Sequence, residues 1–360
     1  MTTRIGVVTG GGDCPGLNAV IRAVAKAATR RGWQAVGILG GYEGLLPPQQ
    51  TKVLEGEVLN GLLVRGGTIL GTANQGRFSA KVGHGQSRQL PVELLDATRA
   101  GCEQLGLAGL ISIGGDGSLT IAQQMYEHGI PVVGVPKTID NDLAATSMTF
   151  GFDSAVACAT DALDRLHSTA ESHRRVMVLE VMGRYAGWIA VYAGLAGGAD
   201  VILIPEIPFH FDSVCAKIAQ REQAGRHFSI VVVAEGARPV GEDFVTAAVQ
   251  SQQREARLGG IGARVADEIQ RRTGKETRTV VLGHLQRGGS PTNMDRALCT
   301  MFGAKAVDLI AQRHFGQMVA FCNSQITNVP LSEATGELRT VPLDGGFVVS
   351  ARALGVCLGD

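Results

Sequence analysis

The sequence predicts an α/β protein built on parallel β-sheet, and three observations carry that prediction. Short runs rich in Val and Ile end in glycine turns and are followed by amphipathic helical stretches, repeatedly along the chain. The composition is 45% hydrophobic but only 5% aromatic, which describes an aliphatic core of strands covered on both faces. The alternation falls into two series that meet near residue 150, and 360 residues are enough for two domains.

The first series opens with "RIGVVT" (4–9), a buried strand, and a helix over 17–31 with Pro15 close to its start. "QAVGIL" (34–39) is the next strand. Residues 72–90, charged and polar, read as a surface loop and a candidate mobile element. A helix over 91–105, the strand "GLISIG" (109–114), a helix over 118–128 and the strand "PVVGVP" (131–136) complete the series. The second series holds a helix over 152–171, "RVMVLEV" (175–181), a helix over 187–195, "VILIP" (201–205), "SIVVVAE" (229–235) and "TVVLGH" (279–284). Two helices are expected over 245–257 and 260–273, and another over 294–312 before "MVAFC" (318–322). No low-complexity linker or internal repeat divides the chain.

The 33 Lys and Arg balance the 33 Asp and Glu, so nothing points to a nucleic acid or another general polyanion as partner. Seven cysteines are scattered without a C-x-x-C pair or a Cys/His zinc spacing, the pattern of reduced thiols in a cytoplasmic protein. Cys14, although in a glycine turn, reads as a small buried filler. The N-terminus has no signal-peptide pattern and no apolar stretch is long enough for a bilayer, so no membrane association is expected.

"VVTGGGDCPGLNAVIRA" (7–23) follows a strand and opens a helix. Glycines let backbone N–H groups face an anion, and the helix N-terminus adds partial positive charge. The stretch reads as a phosphate or nucleotide cradle. It is neither a Walker A loop nor a G-x-G-x-x-G fingerprint, which counts against a nicotinamide-dependent dehydrogenase. "ISIGGDGSLTIA" (111–122) repeats the layout, with Asp116 able either to hold Mg²⁺ among phosphates or to cap the helix, a task Ser118 can also perform. "GVPKTIDNDL" (134–143) places Lys137, Thr138, Asp140, Asn141 and Asp142 just past a strand. All three motifs lie at strand C-terminal ends, the edge where open parallel sheets bind ligands. Phosphoryl transfer uses such an edge to position groups and neutralise charge. Asp140 or Asp142 can take the proton of an acceptor hydroxyl, with Thr138 on the phosphate; an Asx-turn is the plain structural alternative. Two later strands each begin at an Arg and end in a polar cluster: Arg175 with Met182–Arg184, and Arg278 with His284–Arg287. Arginine forks of this kind can hold a sugar phosphate.

Taken together, "GGGDCPGLNAVIR", "GGDGS", "PKTIDND", "SHRRVMVLEVMGRYAG", "PEIPF", "AEGA" and "LGHLQRGGSP" resemble, in order, the motifs of the 6-phosphofructokinase family, over about residues 4–315. The resemblance implies two Rossmann-like, three-layer α/β/α domains with largely parallel sheets and the active site between them. One, the nucleotide domain, would comprise 1–150 plus about 286–336. The other, binding fructose 6-phosphate, would comprise about 151–285 plus about 337–360. It implies catalytic roles for Gly11, Thr138, Asp140 and Arg184, with Asp140 as the base that activates the sugar's 1-hydroxyl. The implied donor set is Gly11, Gly12, Arg77, Gly115, Asp116, Gly117, Ser118 and Lys137, with Asp116 at Mg²⁺. The implied fructose 6-phosphate set is Thr138, Asp140, Asp142, Arg175, Met182, Gly183, Arg184, Glu235, Arg278, His284 and Arg287. In the family the counterparts of Arg175 and Arg278 reach a neighbouring subunit's site, so a homo-oligomer, usually a tetramer, is implied.

ATP is the expected donor. Pyrophosphate users in the family typically carry Asp where this chain has Gly117, and an Asp there would crowd and repel a nucleotide α-phosphate. Lys137 points the other way, because pyrophosphate enzymes often have Lys at that position. Two departures stand out. The Arg that usually bridges donor and acceptor phosphates is replaced by Asn74, with Arg77 nearby as its expected substitute. Arg22 and Lys26 keep the basic first helix, but His167 stands where an effector-binding Arg is common, which puts regulation by ADP or phosphoenolpyruvate in question. A non-catalytic nucleotide- or sugar-phosphate-binding regulator is the alternative on the same fold.

Overall fold

A computed structural model describes residues 2–73, 76–79, 88–244, 246–248 and 257–360. The chain divides into two compact units, Met1–Ser154 with Arg287–Leu338, and Ala155–Gln286 with Arg339–Asp360. Both are α/β.

The first unit contains β1 (Arg4–Thr9), α1 (Leu17–Arg30), β2 (Gln34–Ile38), β3 (Thr51–Val53), α2 (Val92–Gln104), β4 (Leu107–Gly114), α3 (Asp116–Glu127), β5 (Val132–Pro136) and the start of α4 (Phe152–His173). The chain then builds the second unit from β6 (Val176–Val181), α5 (Trp188–Ala196), β7 (Val201–Leu203), α6 (Phe211–Gln223), β8 (Ser229–Ala234), β9 (Thr246–Ala248), β10 (Arg257–Leu258), α7 (Ile261–Thr273) and β11 (Thr277–Val281). It returns to the first unit for α8 (Asn293–Ala311), β12 (Gln317–Cys322), β13 (Gln325–Pro330) and α9 (Leu331–Thr335), and ends in the second with α10 (Gly346–Ala353).

The first unit's sheet has the order β13-β12-β5-β4-β1-β2-β3. Its five inner strands are parallel, and antiparallel β3 and β13 close the two edges. From β1 the chain moves outward to β2 on one side and to β4 and β5 on the other. The sheet therefore switches direction between β1 and β4, which opens a crevice at their C-terminal ends. Strands β1, β4 and β5 are buried almost throughout, and their continuous apolar runs reflect helices on both faces. The second unit's main sheet, β11-β6-β8-β7, is wholly parallel and switches between β6 and β8.

The elements differ from the sequence reading in three places. The edge strands β3 and β13 carry half-exposed, mixed side chains rather than an apolar run, so periodicity does not announce them. The helix expected over 245–257 lies largely outside the described residues, and its described parts, Thr246–Ala248 and Arg257–Leu258, pair as antiparallel strands. Helix α3 begins at Asp116 rather than 118. Its N-cap is Gly115 and no side chain caps it, so Ser118 does not take the capping role.

Candidate active site

The crevice between β1 and β4 holds a cavity of about 240 Å³. Gly11 and Gly12 from the turn after β1, Gly115 to Ser118 from the start of α3, Lys137 and Thr138 after β5, and Arg287 line it. Tyr42, Phe78 and Ile121 give it an apolar wall, with Glu43, Ala73 and Ser79 beside them. The three strand-end motifs thus meet in one place because β1, β4 and β5 are consecutive neighbours in the sheet.

Gly11 has φ 75°, a left-handed conformation that other residues rarely adopt. Its carbonyl accepts from Thr72 Oγ1 at 2.5 Å. A Cβ on Gly12 would lie 2.8 Å from Arg287 Nη1, so the guanidinium packs where only glycine leaves room. Arg287 Nη1 donates to the Asp13 carbonyl at 3.2 Å, and Lys137 Nζ donates to the Gly12 carbonyl. Lys137 is 4% exposed, and burial lowers its pKa from the ordinary lysine value. Asn18 on α1 anchors the segment that brings Thr72. Its amide donates to the carbonyls of Arg65 and Gly66 at 3.1 and 3.0 Å, and its oxygen accepts from Ile69 N–H at 2.8 Å.

In "TIDND" the residues divide their work. Asn141 sits at φ 52°, and its Oδ1 accepts from Thr149 N–H at 3.0 Å. Thr149 Oγ1 in turn donates to the Thr138 carbonyl at 2.7 Å. Asn141 therefore closes the turn, as Asx side chains do, and holds Thr138, Asp140 and Asp142 past the strand end. Asp140 N–H donates to Thr138 Oγ1 at 3.1 Å. The Asp142 carboxyl is pushed up to about 7, first by burial and then by the charges of Asp140 and Asp116. Asp116 thus lies within electrostatic reach of the pair.

Arg77 is not among the cavity's lining residues. Its Nε and Nη2 donate to Glu43 Oε2 at 3.0 and 2.5 Å, and its N–H donates to Glu43 Oε1 at 3.0 Å. The cations at the cavity are Lys137 and Arg287. Asn74 lies outside the described residues, as do 75 and 80–87 of the expected loop. The wall residues Tyr42 and Phe78 escaped the sequence reading, because a lone aromatic has no telling spacing. Their rings stand 5.5 Å apart, and Tyr42 OH bonds Ser112 Oγ at 2.6 Å and donates to the Ser118 carbonyl at 2.9 Å. Cys14 is fully buried, and burial pushes its thiol up to about 12.

The second unit places its residues at two separate ends. Met182, Gly183 and Arg184 follow β6 and Glu235 follows β8, next to the switch between these strands; Glu235 N–H donates to the Val181 carbonyl at 2.8 Å and Gly236 N–H to Gly183 at 3.1 Å. Buried Gln286 accepts from Met182 N–H at 3.3 Å. His284 is exposed in the turn Gly283–Arg287. Arg175 and Arg278 stand instead at the starts of β6 and β11. There Glu276 joins them, reaching Arg175 Nε at 2.8 Å and Arg278 Nη2 at 2.5 Å. His167 Nε2 is hydrogen-bonded to the Gly197 carbonyl at 2.6 Å.

The phosphofructokinase family model matches residues 4–310. The chain belongs to the phosphofructokinase family. An ATP-dependent 6-phosphofructokinase of Chloroflexus aurantiacus is 54% identical over 357 residues, covering 99% of this chain and 98% of the relative. A pyrophosphate–fructose 6-phosphate 1-phosphotransferase of Amycolatopsis methanolica is 50% identical over 344 residues, covering 94% and 96%. The structure of phosphofructokinase from Saccharomyces cerevisiae aligns with TM-score 0.80 at 31% identity, over 93% of this chain and 45% of that one. Among the described residues, no helix of this phosphofructokinase is long and apolar enough to cross a membrane.

Proposed function

We propose that this chain is an ATP-dependent 6-phosphofructokinase that transfers the γ-phosphoryl group of ATP to the 1-hydroxyl of fructose 6-phosphate. The observation that carries the reading is the first unit's cavity, where glycine amides, Asp116, Gly117 and Thr138 share one space with the apolar wall of Tyr42, Phe78 and Ile121. Pyrophosphate has no use for an apolar wall, whereas a nucleobase does. Gly117 supports the same donor. It lies inside α3, its φ is not left-handed, and a Cβ there would meet nothing within 4 Å. Glycine in a helix costs about 1 kcal/mol relative to alanine, and no packing need offsets that cost here. Room for a ligand accounts for it.

In this reading Asp140 takes the proton of the 1-hydroxyl as its oxygen attacks the γ-phosphorus, and the bond to the β-phosphate oxygen breaks to release ADP. Thr138, Asp140 and Asp142 face the reacting end of the sugar phosphate. Met182, Gly183, Arg184 and Glu235 bind its sugar, and His284 and Arg287 bind its phosphate. Asp116 suits Mg²⁺. Three carboxylates near one another, one of them pushed up to about 7, are a charge distribution that a divalent cation relieves. No group of three His, Cys, Asp or Glu among the described residues is disposed as a metal cage, and Mg²⁺ typically takes one or two carboxylates together with substrate phosphates. The ion would neutralise charge on the transferring phosphoryl group.

Arg175 and Arg278 complete the sugar-phosphate site of a neighbouring subunit, which makes the enzyme an oligomer, with a tetramer expected. What supports this is their position. They lie about six strand residues, or ~20 Å at ~3.3 Å each, from the cluster that ends in Arg184. The deciding assay gives purified protein fructose 6-phosphate with Mg²⁺ and either ATP or pyrophosphate. Fructose 1,6-bisphosphate is expected with ATP, and turnover with pyrophosphate alone would overturn the donor.

A further inference from the structure

The turn after β1 has its carbonyls tied down one after another by side chains from three separate segments. Thr72 Oγ1 holds the carbonyl of Gly11 at 2.5 Å, Lys137 Nζ that of Gly12, and Arg287 Nη1 that of Asp13 at 3.2 Å. A trans peptide points its N–H opposite to its C=O. The N–H groups of Gly12, Asp13 and Cys14 are therefore turned away from those three donors. Among the described residues none of the three gives its hydrogen to a protein acceptor. The left-handed Gly11 at the start of the run lets successive N–H groups converge, the geometry of an anion-binding nest. A cation on a carbonyl also polarises the peptide behind it and strengthens its N–H as a donor.

We propose that Lys137 is a positioning residue of the donor site, holding the Gly12 carbonyl so that the Asp13 N–H is presented to the donor phosphates, and that it neither ligates phosphate itself nor selects the donor. Thr72 does the same for Gly11 without any charge. Burial fits this role, because a lysine that is 4% exposed and directed at a backbone oxygen is fixed rather than free to track a ligand. The inference rests on the donor reading above and extends it. It explains how a lysine in this position coexists with a site shaped for a nucleotide.

The test uses Lys137→Met and Thr72→Val in the full-length protein. Affinity for a non-hydrolysable ATP analogue with Mg²⁺ is measured by calorimetry, alongside kcat, KM and the ratio of turnover with ATP to turnover with pyrophosphate. Both variants are expected to weaken analogue binding or lower kcat by ~10-fold or more, short of the ~10²–10³ for outright loss of a preorganised donor. Both should leave the donor ratio within a few-fold of the unaltered protein, with KM for fructose 6-phosphate little changed. If Lys137→Met alone has an effect and moves the donor ratio more than tenfold, Lys137 is a direct ligand and the proposal fails. It fails equally if neither variant changes binding or kcat. Should Lys137→Met not fold, Thr72→Val decides alone. Unaltered protein that binds the analogue but transfers nothing would refute the kinase reading while leaving the binding comparison interpretable.

Discussion

Arg175 and Arg184 stand at opposite ends of one strand, β6, with Val176–Val181 between them. No side-chain rotation spans ~20 Å, since an arginine reaches about a third of that. Both cannot serve one sugar phosphate within a single chain. The prediction is complementation between subunits: Arg175→Ala and Arg184→Ala proteins, each nearly inactive alone, should recover activity when mixed, dissociated and reassembled. Steady-state assay of the mixture checks this, and no recovery would mean that the two arginines do not belong to a shared site.

Gly117 provides a second test. Alanine there should stabilise α3 by ~0.5–1 kcal/mol, because the Cβ meets open space. Gly117→Ala should therefore raise the thermal midpoint slightly while raising KM for ATP. Gly117→Asp should fold as well, yet lose most turnover with ATP. Unchanged ATP kinetics in the aspartate variant would show that this position does not shape the donor site.

Asp140 is held past β5 by the turn that Asn141 closes on Thr149. Replacing it with alanine should cut kcat by ~10²–10⁴ with little change in the thermal midpoint. Near-normal turnover in that variant would move the role of base to Asp142.

Asp295 has a pH signature. Its carboxylate is fully buried and accepts from Gly151 N–H at 3.0 Å, Ser154 N–H at 2.9 Å and Ser154 Oγ at 2.6 Å. Burial, opposed by those hydrogen bonds and reinforced by Asp153, pushes its carboxyl up to about 6. In the unfolded chain it would titrate near ~3.9. Between these values the folded protein keeps a proton that the unfolded chain has lost. The stability this contributes is complete below pH ~4 and is lost as pH rises through about 6, in total on the order of 3 kcal/mol. Asp295→Asn should lack that decline whatever its overall stability. Thermal midpoints of both proteins from pH 4 to 7 check this, and parallel profiles would count against it.

Much of the fold is legible in the sequence, because buried parallel strands are continuous apolar runs and the turns after them are dense in glycine. Strands β3 and β13 are illegible for the converse reason. They lie at sheet edges, where half-exposed residues leave no period. The cavity's glycines, Asp116 and Thr138 could be read from motifs at strand ends. Tyr42, Phe78, Thr72 and Asn18 could not, because each acts through a partner distant in the chain.

The sequence by itself determines the family, the alternation of strand and helix, and which strand ends carry chemistry, since these follow from local composition and order. Only the tertiary structure decides where the charges go. It commits Arg77 to Glu43, ties Arg175 and Arg278 to Glu276, and turns Lys137 onto the carbonyl of Gly12. A cation pairs with whichever oxygen the fold brings within about 3 Å, and that distance is set by the sheet order, not by separation along the chain.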